Sequence, residues 1–201
     1  MSSNPFEELE KYFPQYLTAI DKKQLYKEIK DFPKNKEFYI YLQNYEAQAL
    51  QGDGWKSFLL INIETIERKK VSGIVISNSC DIDPANGIRD GQKILFAPLI
   101  KLSRYEEGMK ESNLSDTEIT QTISNIRSQL ISHIFYLPEY PGHIEESIVL
   151  LDDINSNPLQ HFLQNREHKL FCLNQFAFYL FIIKLSIHFT RLREGLRRYT
   201  E

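Results

Sequence analysis

Residues 71–83, VSGIVISNSCDID, are the stretch on which the fold prediction depends. The first half is an apolar run of the kind that forms a β-strand, and the second half changes without a spacer to small polar and acidic residues. A strand that ends in such residues presents them at the rim of a rigid scaffold, where sites tend to be built. We therefore expect the candidate site at this rim, which consists of Ser77, Asn78, Ser79, Cys80, Asp81 and Asp83.

Similar short runs lie on both sides of this stretch. The predicted strands are 38–43, 56–63, 71–77 and 93–99, with two more at 134–137 and 147–151. Turn signals separate the first four, at 51–54 (QGDG) and 84–87 (PANG). Closely spaced strands with such turns predict a small barrel or a rolled sheet.

Helical patterns surround the predicted sheet. Residues 1–36 read as a helical lead-in. A long helical pattern from Leu170 to Arg198, strongly apolar up to Phe189 and rich in Arg after it, predicts a carboxyl-terminal packing helix. A middle helix is predicted from the capping-box spacing of Ser115 and Glu118, followed by Ile119, Ile123, Ile126 and Leu130 on one face. The sequence thus predicts an α+β fold in one domain, 1–201, with the lead-in at 1–36, the barrel at 37–102 and a helical and strand extension at 103–201.

Composition limits the classes of function. The chain has 201 residues, 42% of them hydrophobic, and a formal net charge of -3, which argues against coating nucleic acid or an anionic membrane over the whole surface. The longest uncharged apolar run, residues 170–183, is shorter than the roughly 20 residues that a membrane-spanning helix needs. Two distant cysteines and an amino terminus without a signal-peptide pattern predict a reduced, cytoplasmic protein.

Three segments resemble sequence motifs of a known family and occur in the same order as those motifs. Residues 51–55 (QGDGW), 73–78 (GIVISN) and 95–100 (LFAPLI) resemble signposts of the PemK/MazF-like toxins, which are small SH3-like barrels that cut RNA. The resemblance covers residues 51–102. It implies an SH3-like barrel over 37–102 and membership of a bacterial toxin-antitoxin or phage-defence system.

The resemblance departs from the family where catalysis would take place. The family's catalytic Arg falls on Val71, the Pro that follows it falls on Ser72, and the catalytic Thr falls on Ile100. Attack by a ribose 2'-hydroxyl needs a base and a cation that stabilises the phosphorane, and neither Val nor Ile supplies these. Lys70 and Lys101 lie beside the vacated positions, together with Lys69, and keep a cation within reach of the groove.

The favoured function is therefore a non-catalytic binding or regulatory component. One alternative is an endoribonuclease with relocated groups, in which Ser79, Cys80 and Asp81 act at the rim and Lys70 is the cation. A second alternative is a structural subunit of a complex. The expected partner is a protein, with RNA, DNA and a second copy of the chain as further candidates, and we expect no membrane, no bound metal and no cofactor.

Several residues carry two interpretations. Cys80 is either a nucleophile or a small buried residue. Asp81, Asp83, Asn86 and Asp90 suit either a hard divalent cation or a solvated turn with Asx hydrogen bonds. The basic tail suits either a phosphate or the dipole of the last helix, and consists of Arg191, Arg193, Arg197 and Arg198. Aromatic side chains near the predicted barrel edge either stack on bases or fill the core, and these are Phe38, Tyr39, Tyr41 and Tyr45.

Overall fold

The computed structural model describes residues 37–190, except 63 and 113, together with residues 18, 20, 23 and 27. The strands of this part are β1 (Tyr39–Ile40), β2 (Gly54–Ile61), β3 (Arg68–Val75), β4 (Lys93–Lys101), β5 (Ile134–Leu137), β6 (Ser147–Leu150), β7 (Asn155–Pro158) and β8 (Lys169–Leu173). The α-helices are α1 (Ser79–Ile82), α2 (Leu102–Glu111), α3 (Asp116–Arg127), α4 (Leu159–Asn165) and α5 (Gln175–Thr190). The predicted α+β class is confirmed.

The eight strands form one antiparallel sheet in the order β1-β8-β2-β3-β4-β6-β5, with β7 paired to β4. The described strands do not close into a barrel, so the predicted SH3-like barrel over 37–102 is not confirmed. The reason lies in β4, where residues 96–98 pair with β3 but residues 99–101 pair with β6. Strands from beyond residue 102 therefore extend the sheet that the first half of the chain begins.

The apolar half of the stretch 71–83 forms a central strand because its glycine fits a crowded position. Gly73 lies against the stacked rings of Phe58 and Phe96, whose centroids are 4.2 Å apart. A Cβ at Gly73 would come within 2.8 Å of Phe96 and 2.9 Å of Phe58, so a larger residue would push the rings apart. Phe162 of α4 stacks on Phe58 at 4.8 Å and buries this part of the sheet.

Buried apolar side chains form two further clusters. The larger packs α5 against the sheet, with Phe181 and Phe135 of β5 5.1 Å apart between ring centroids. The other places α2 and α3 over β5 and β6, and includes Met109, Ile123 and Ile148. Burial of this apolar surface is the main driving force that holds the helices on the sheet.

The capping box that starts α3 is confirmed. Ser115 Oγ accepts the N–H of Glu118 at 3.3 Å, and the Glu118 carboxylate accepts the N–H of Ser115 at 3.0 Å. The predicted face is buried at Ile119, Ile123 and Ile126. The prediction is wrong for Leu130, which is 52% exposed, because the helix ends at Arg127 and the chain turns away before reaching Leu130.

The predicted helix from Leu170 to Arg198 is wrong over its first turn. Residues 169–173 form β8, which pairs with β1 and β2, and α5 begins only at Gln175. Asn174 separates the two elements, since its Oδ1 accepts the N–H of Ala177 at 2.9 Å. An unbroken apolar run suits a buried strand as well as a buried helix, so periodicity alone did not reveal this boundary.

Other predicted elements differ in length or lie outside the described residues. The strand predicted at 38–43 is limited to β1 and is followed by a 3-10 turn at Gln43–Tyr45, whereas the strands predicted near 134–137 and 147–151 are confirmed. Strand β7 and helices α2 and α4 were missed. The lead-in at 1–36, apart from four single positions, and Arg191, Arg193, Arg197 and Arg198 lie outside the described residues. None of the described helices is long and apolar enough to cross a membrane.

Candidate functional site

Three polar side chains of the predicted rim hold the loop that follows β3. Ser77 Oγ accepts the N–H of Leu95 at 2.8 Å, and Ser79 Oγ accepts the N–H of Gln51 at 2.9 Å. Asn78 caps α1 by accepting a backbone N–H of that helix at 2.9 Å. These hydrogen bonds satisfy backbone donors that would otherwise lack partners, so the three side chains act mainly as supports.

Asp83 has a similar supporting role in the same loop. Its Oδ1 accepts the N–H of Ala85 at 3.0 Å and its Oδ2 accepts Gln48 Nε2 at 3.0 Å, while Asn86 Nδ2 donates to the carbonyl of Cys80 at 2.9 Å. This is the Asx turn that was one of the two interpretations of the acidic loop. Across the described residues, no three His, Cys, Asp or Glu side chains converge in a group that could hold a metal ion.

The side chains that remain available line an open groove between the loop and β4. Its apolar floor includes Ile76 and Leu95, and Leu95 is 40% exposed. Two acids and two bases project around that floor, and these are Asp81, Arg89, Asp90 and Lys93. None of the four side chains has a hydrogen bond or an ion pair with the described part of the chain. We call this feature the rim groove.

The other predicted site residues lie outside the rim groove. Cys80 is exposed on α1, so the prediction that it is a small buried residue is wrong. Lys70 Nζ lies 3.9 Å from the carboxylate of Glu167, and Lys101 forms an ion pair with Glu145 at the end of β4. Neither lysine lines the groove that contains Asp81.

The two positions that correspond to the catalytic Arg and Thr of the resemblance make apolar contacts. Strands β3 and β4 are neighbours, with Gly73 opposite Pro98. Val71 packs against the cluster that contains Phe58, and Ile100 packs against the cluster that contains α2 and α3. Both side chains thus contribute to packing and offer no group that moves a proton or binds a phosphate.

A second polar centre, which the sequence did not reveal, is buried between β2 and β8. Asp53 is 1% exposed, and its Oδ2 lies 2.6 Å from Lys169 Nζ and accepts the N–H of Leu50 at 2.9 Å. Lys169 Nζ also donates to the carbonyl of Tyr45 at 2.8 Å. Burial raises the pKa of Asp53, while the charge of Lys169 acts in the opposite direction.

Cys172 completes this buried centre. Burial, and then the negative charge of Asp53, raise the pKa of its thiol to about 12. A thiol of this kind is a poor nucleophile near neutral pH, because the thiolate is the reactive form. The signal that could have revealed the centre is Gly52-Asp-Gly54, in which an acid directly precedes a buried strand, but its basic partner lies far along the sequence.

Comparisons with known proteins do not place the chain in a family. No protein-family model matches it, and no curated protein matches it in sequence.

Proposed function

We propose that this protein is a non-catalytic binding component whose rim groove takes a segment of a partner protein. The observation that carries the proposal is the set of free charges in the groove. They surround an apolar floor in which Leu95 is exposed, and their side chains have no partner in the described part of the chain. These four residues are Asp81, Arg89, Asp90 and Lys93.

A protein segment fits this groove better than a nucleic acid does. Two acids and two bases nearly cancel, so the groove offers no excess of positive charge to a phosphate backbone, which relies on Lys and Arg contacts. A peptide, by contrast, presents apolar and charged side chains in alternation and can satisfy both the floor and the four charges. The net charge of -3 also opposes binding of a polyanion.

The loop that carries the groove is well braced, which favours recognition. Ser77 and Ser79 bind backbone N–H groups, and Gln51 Nε2 donates to the carbonyl of Ile76 at 2.8 Å. A surface that is already ordered loses less conformational entropy when it binds. The free thiol of Cys80, in contrast, has no hydrogen-bonded base among the described side chains, so it lacks the partner that nucleophilic catalysis requires.

We also propose that four strands of the sheet have an SH3-like arrangement. The amide of Asn157 on β7 accepts the N–H of Leu59 and donates to the carbonyl of Leu59, both at 2.8 Å, and so connects β7 to β2. Together with the pairing of β7 with β4, this connection supports an SH3-like arrangement of β2, β3, β4 and β7. By resemblance alone, we propose a role in a bacterial toxin-antitoxin or phage-defence system.

The test is selection of displayed random peptides on the purified full chain, followed by affinity measurements with variants. We expect enriched peptides whose affinity falls at least tenfold with Asp81→Ala or Arg89→Ala. The matched controls are Asp152→Ala and Arg104→Ala, which change exposed residues outside the groove and should leave the affinity unchanged. No enrichment, or equal losses with controls and groove variants, would overturn the proposal.

Labelled single-stranded RNA provides the second arm of this test. Incubation at low and moderate salt should leave the RNA uncut and its mobility unchanged. Salt-sensitive retardation would replace the protein partner by a nucleic acid. Cleavage that is lost with Asp81→Ala would establish the endoribonuclease alternative instead.

A further inference from the structure

A second open groove lies beside β8, away from the residues of the rim groove. Its lining includes Trp55, Arg166, Glu167 and Lys169, and we call it the Arg166 groove. Most charges on its walls are already satisfied. Lys169 is paired with Asp53, and Glu167 accepts the Ser57 hydroxyl at 2.6 Å and lies 3.9 Å from Lys70.

Arg166 differs from Lys169, the other basic side chain of this set, because it has no described counter-ion. Its side chain has neither an ion pair nor a hydrogen bond with any described residue. The guanidinium carbon lies 5.3 Å from the centroid of the Trp55 ring, which is 2% exposed, and burial lowers the pKa of Arg166. A partly desolvated cation without a counter-ion among the described residues is unfavourable, so Arg166 would be stabilised by an anion that enters the groove.

The end of α4 does not account for this arrangement. A cation near the carboxyl end of a helix interacts favourably with the helix dipole, and Arg166 directly follows α4. However, only its backbone N–H bonds to the helix, by donating to the carbonyl of Phe162 at 2.7 Å. The guanidinium donates to no carbonyl of α4 and lies over the Trp55 ring instead.

Trp55 supplies an independent observation at the same place. Its Nε1–H group is buried and has no acceptor among the described residues. Buried donors without a partner are rare in native proteins and call for a missing acceptor. The ring that carries this buried donor lines the groove and lies next to the guanidinium of Arg166.

We propose that the Arg166 groove binds a carboxylate group through the guanidinium of Arg166. The planar guanidinium matches a carboxylate in a bidentate geometry. Glu46, which also lines the groove and accepts the Tyr41 hydroxyl at 2.9 Å, opposes a more highly charged anion such as phosphate. The proposal does not depend on the rim groove.

Tryptophan fluorescence tests the binding of a carboxylate in the Arg166 groove directly, because Trp55 is the only tryptophan of the chain. Sodium acetate represents a small organic acid, and a blocked glutamyl dipeptide represents an acidic side chain of a protein. We expect a saturable change of emission with at least one of them. The compound that binds more tightly shows whether the natural ligand is a small organic acid or an acidic side chain of a protein. Inorganic phosphate should bind more weakly, and sodium chloride at equal ionic strength should give no saturable change.

Matched variants decide the role of Arg166. Arg166→Gln should weaken the apparent affinity at least tenfold, and Arg166→Lys should give an intermediate loss, because an ammonium keeps the charge without the fork. Arg104→Gln, at an exposed arginine on α2, should not change the titration. Glu46→Gln should tighten binding by removing a like charge.

Two results would overturn the proposal. One is a wild-type titration that chloride reproduces. The other is an unchanged titration in a folded Arg166→Gln variant, with folding checked by circular dichroism. If Arg166→Gln does not fold, Glu46→Gln decides, and the absence of tighter binding would refute the assignment.

Discussion

The rim groove and the buried Asp53–Lys169 pair use the same kinds of side chain in opposite ways. In the loop of residues 76–92, Ser77, Ser79 and Asp83 hold the backbone or a neighbouring side chain. The side chains of Asp81, Arg89 and Asp90, in contrast, are exposed and have no hydrogen bond or ion pair with the described residues. At β2 and β8, Asp53 and Lys169 are removed from solvent and bonded to each other at 2.6 Å. Free charge, and not polarity in itself, therefore marks a surface that is available to a ligand.

The largest effect should follow from separating the buried pair. Lys169→Met leaves the carboxylate of Asp53 buried without its cation, so we expect the free energy of unfolding to fall by about 3–5 kcal/mol. Urea denaturation measures this loss. Adding Asp53→Leu to Lys169→Met should recover much of the stability, since an apolar pair carries no unpaired charge. A double variant that is no more stable than the single one would contradict this account.

Lys184 is a second buried cation, and it allows the effect of burying a charge to be tested by changing the pH. Lys184 Nζ donates to oxygens of the turn after α3, including the carbonyls of Gln129 at 3.0 Å and Ile131 at 2.8 Å. Burial lowers the pKa of Lys184 to about 7, below its value in the unfolded chain. The unfolded state therefore binds more protons between pH 7 and the ordinary lysine pKa, and stability rises with pH in that window.

The measurement is the free energy of unfolding of the wild type relative to Lys184→Met at several pH values. We expect the difference to move in favour of the wild type as the pH rises from 7. The slope should approach about 1.4 kcal/mol per pH unit. A difference that stays flat with pH would show that Lys184 keeps its charge in the fold.

Removal of a loop support should have a smaller effect. Asn78→Ala deletes the cap of α1, and we expect a loss of about 1 kcal/mol in the free energy of unfolding. Hydrogen exchange should show faster opening of the loop that follows β3, because the support is local. Stability equal to that of the wild type would mean that Asn78 is not a support and is available to a ligand.

The smallest effect on stability should come from the free charges. Asp81→Ala and Arg89→Ala remove side chains without described partners, so each should change the free energy of unfolding by less than about 0.5 kcal/mol. Thermal or urea unfolding measures both. A loss above 1.4 kcal/mol for either variant would assign that side chain to the scaffold instead of the site.

The sequence allowed much of the fold to be predicted where the signal is local. Short apolar runs separated by turn signals located β3 and β4, and the spacing of Ser115 and Glu118 located α3. It failed where pairing partners are distant. β8 was predicted as a helix because its apolar run has no break before Asn174. The barrel was expected from closely spaced strands, and the pairing of β6 with the end of β4 is a contact between distant residues that their spacing does not reveal.

The sequence pointed to the loop that lines the rim groove, but it did not reveal what the individual side chains of that loop do. The rim was located from residues 77–83, yet Ser77, Ser79 and Asp83 are supports, while Arg89 and Lys93 were missed as groove residues. Sequence distance also concealed the Arg166 groove. Arg166 and Trp55 are far apart along the chain, and the pairing of β2 with β8 brings them together. Some polar side chains form hydrogen bonds with distant backbone groups and are then not available to a ligand. These tertiary hydrogen bonds leave no periodic pattern in the sequence.

The most direct test of the rim groove is charge reversal with a selected peptide as ligand. Isothermal titration would compare wild type, Asp81→Lys and Arg89→Glu, with Arg104→Glu as the exposed control outside the groove. The account predicts at least a tenfold loss of affinity for the two groove variants and less than about a twofold change for the control. Added salt should make the loss smaller, because it screens the charges of the groove. Equal affinity in all four proteins would contradict the claim that the free charges of the rim groove bind a partner.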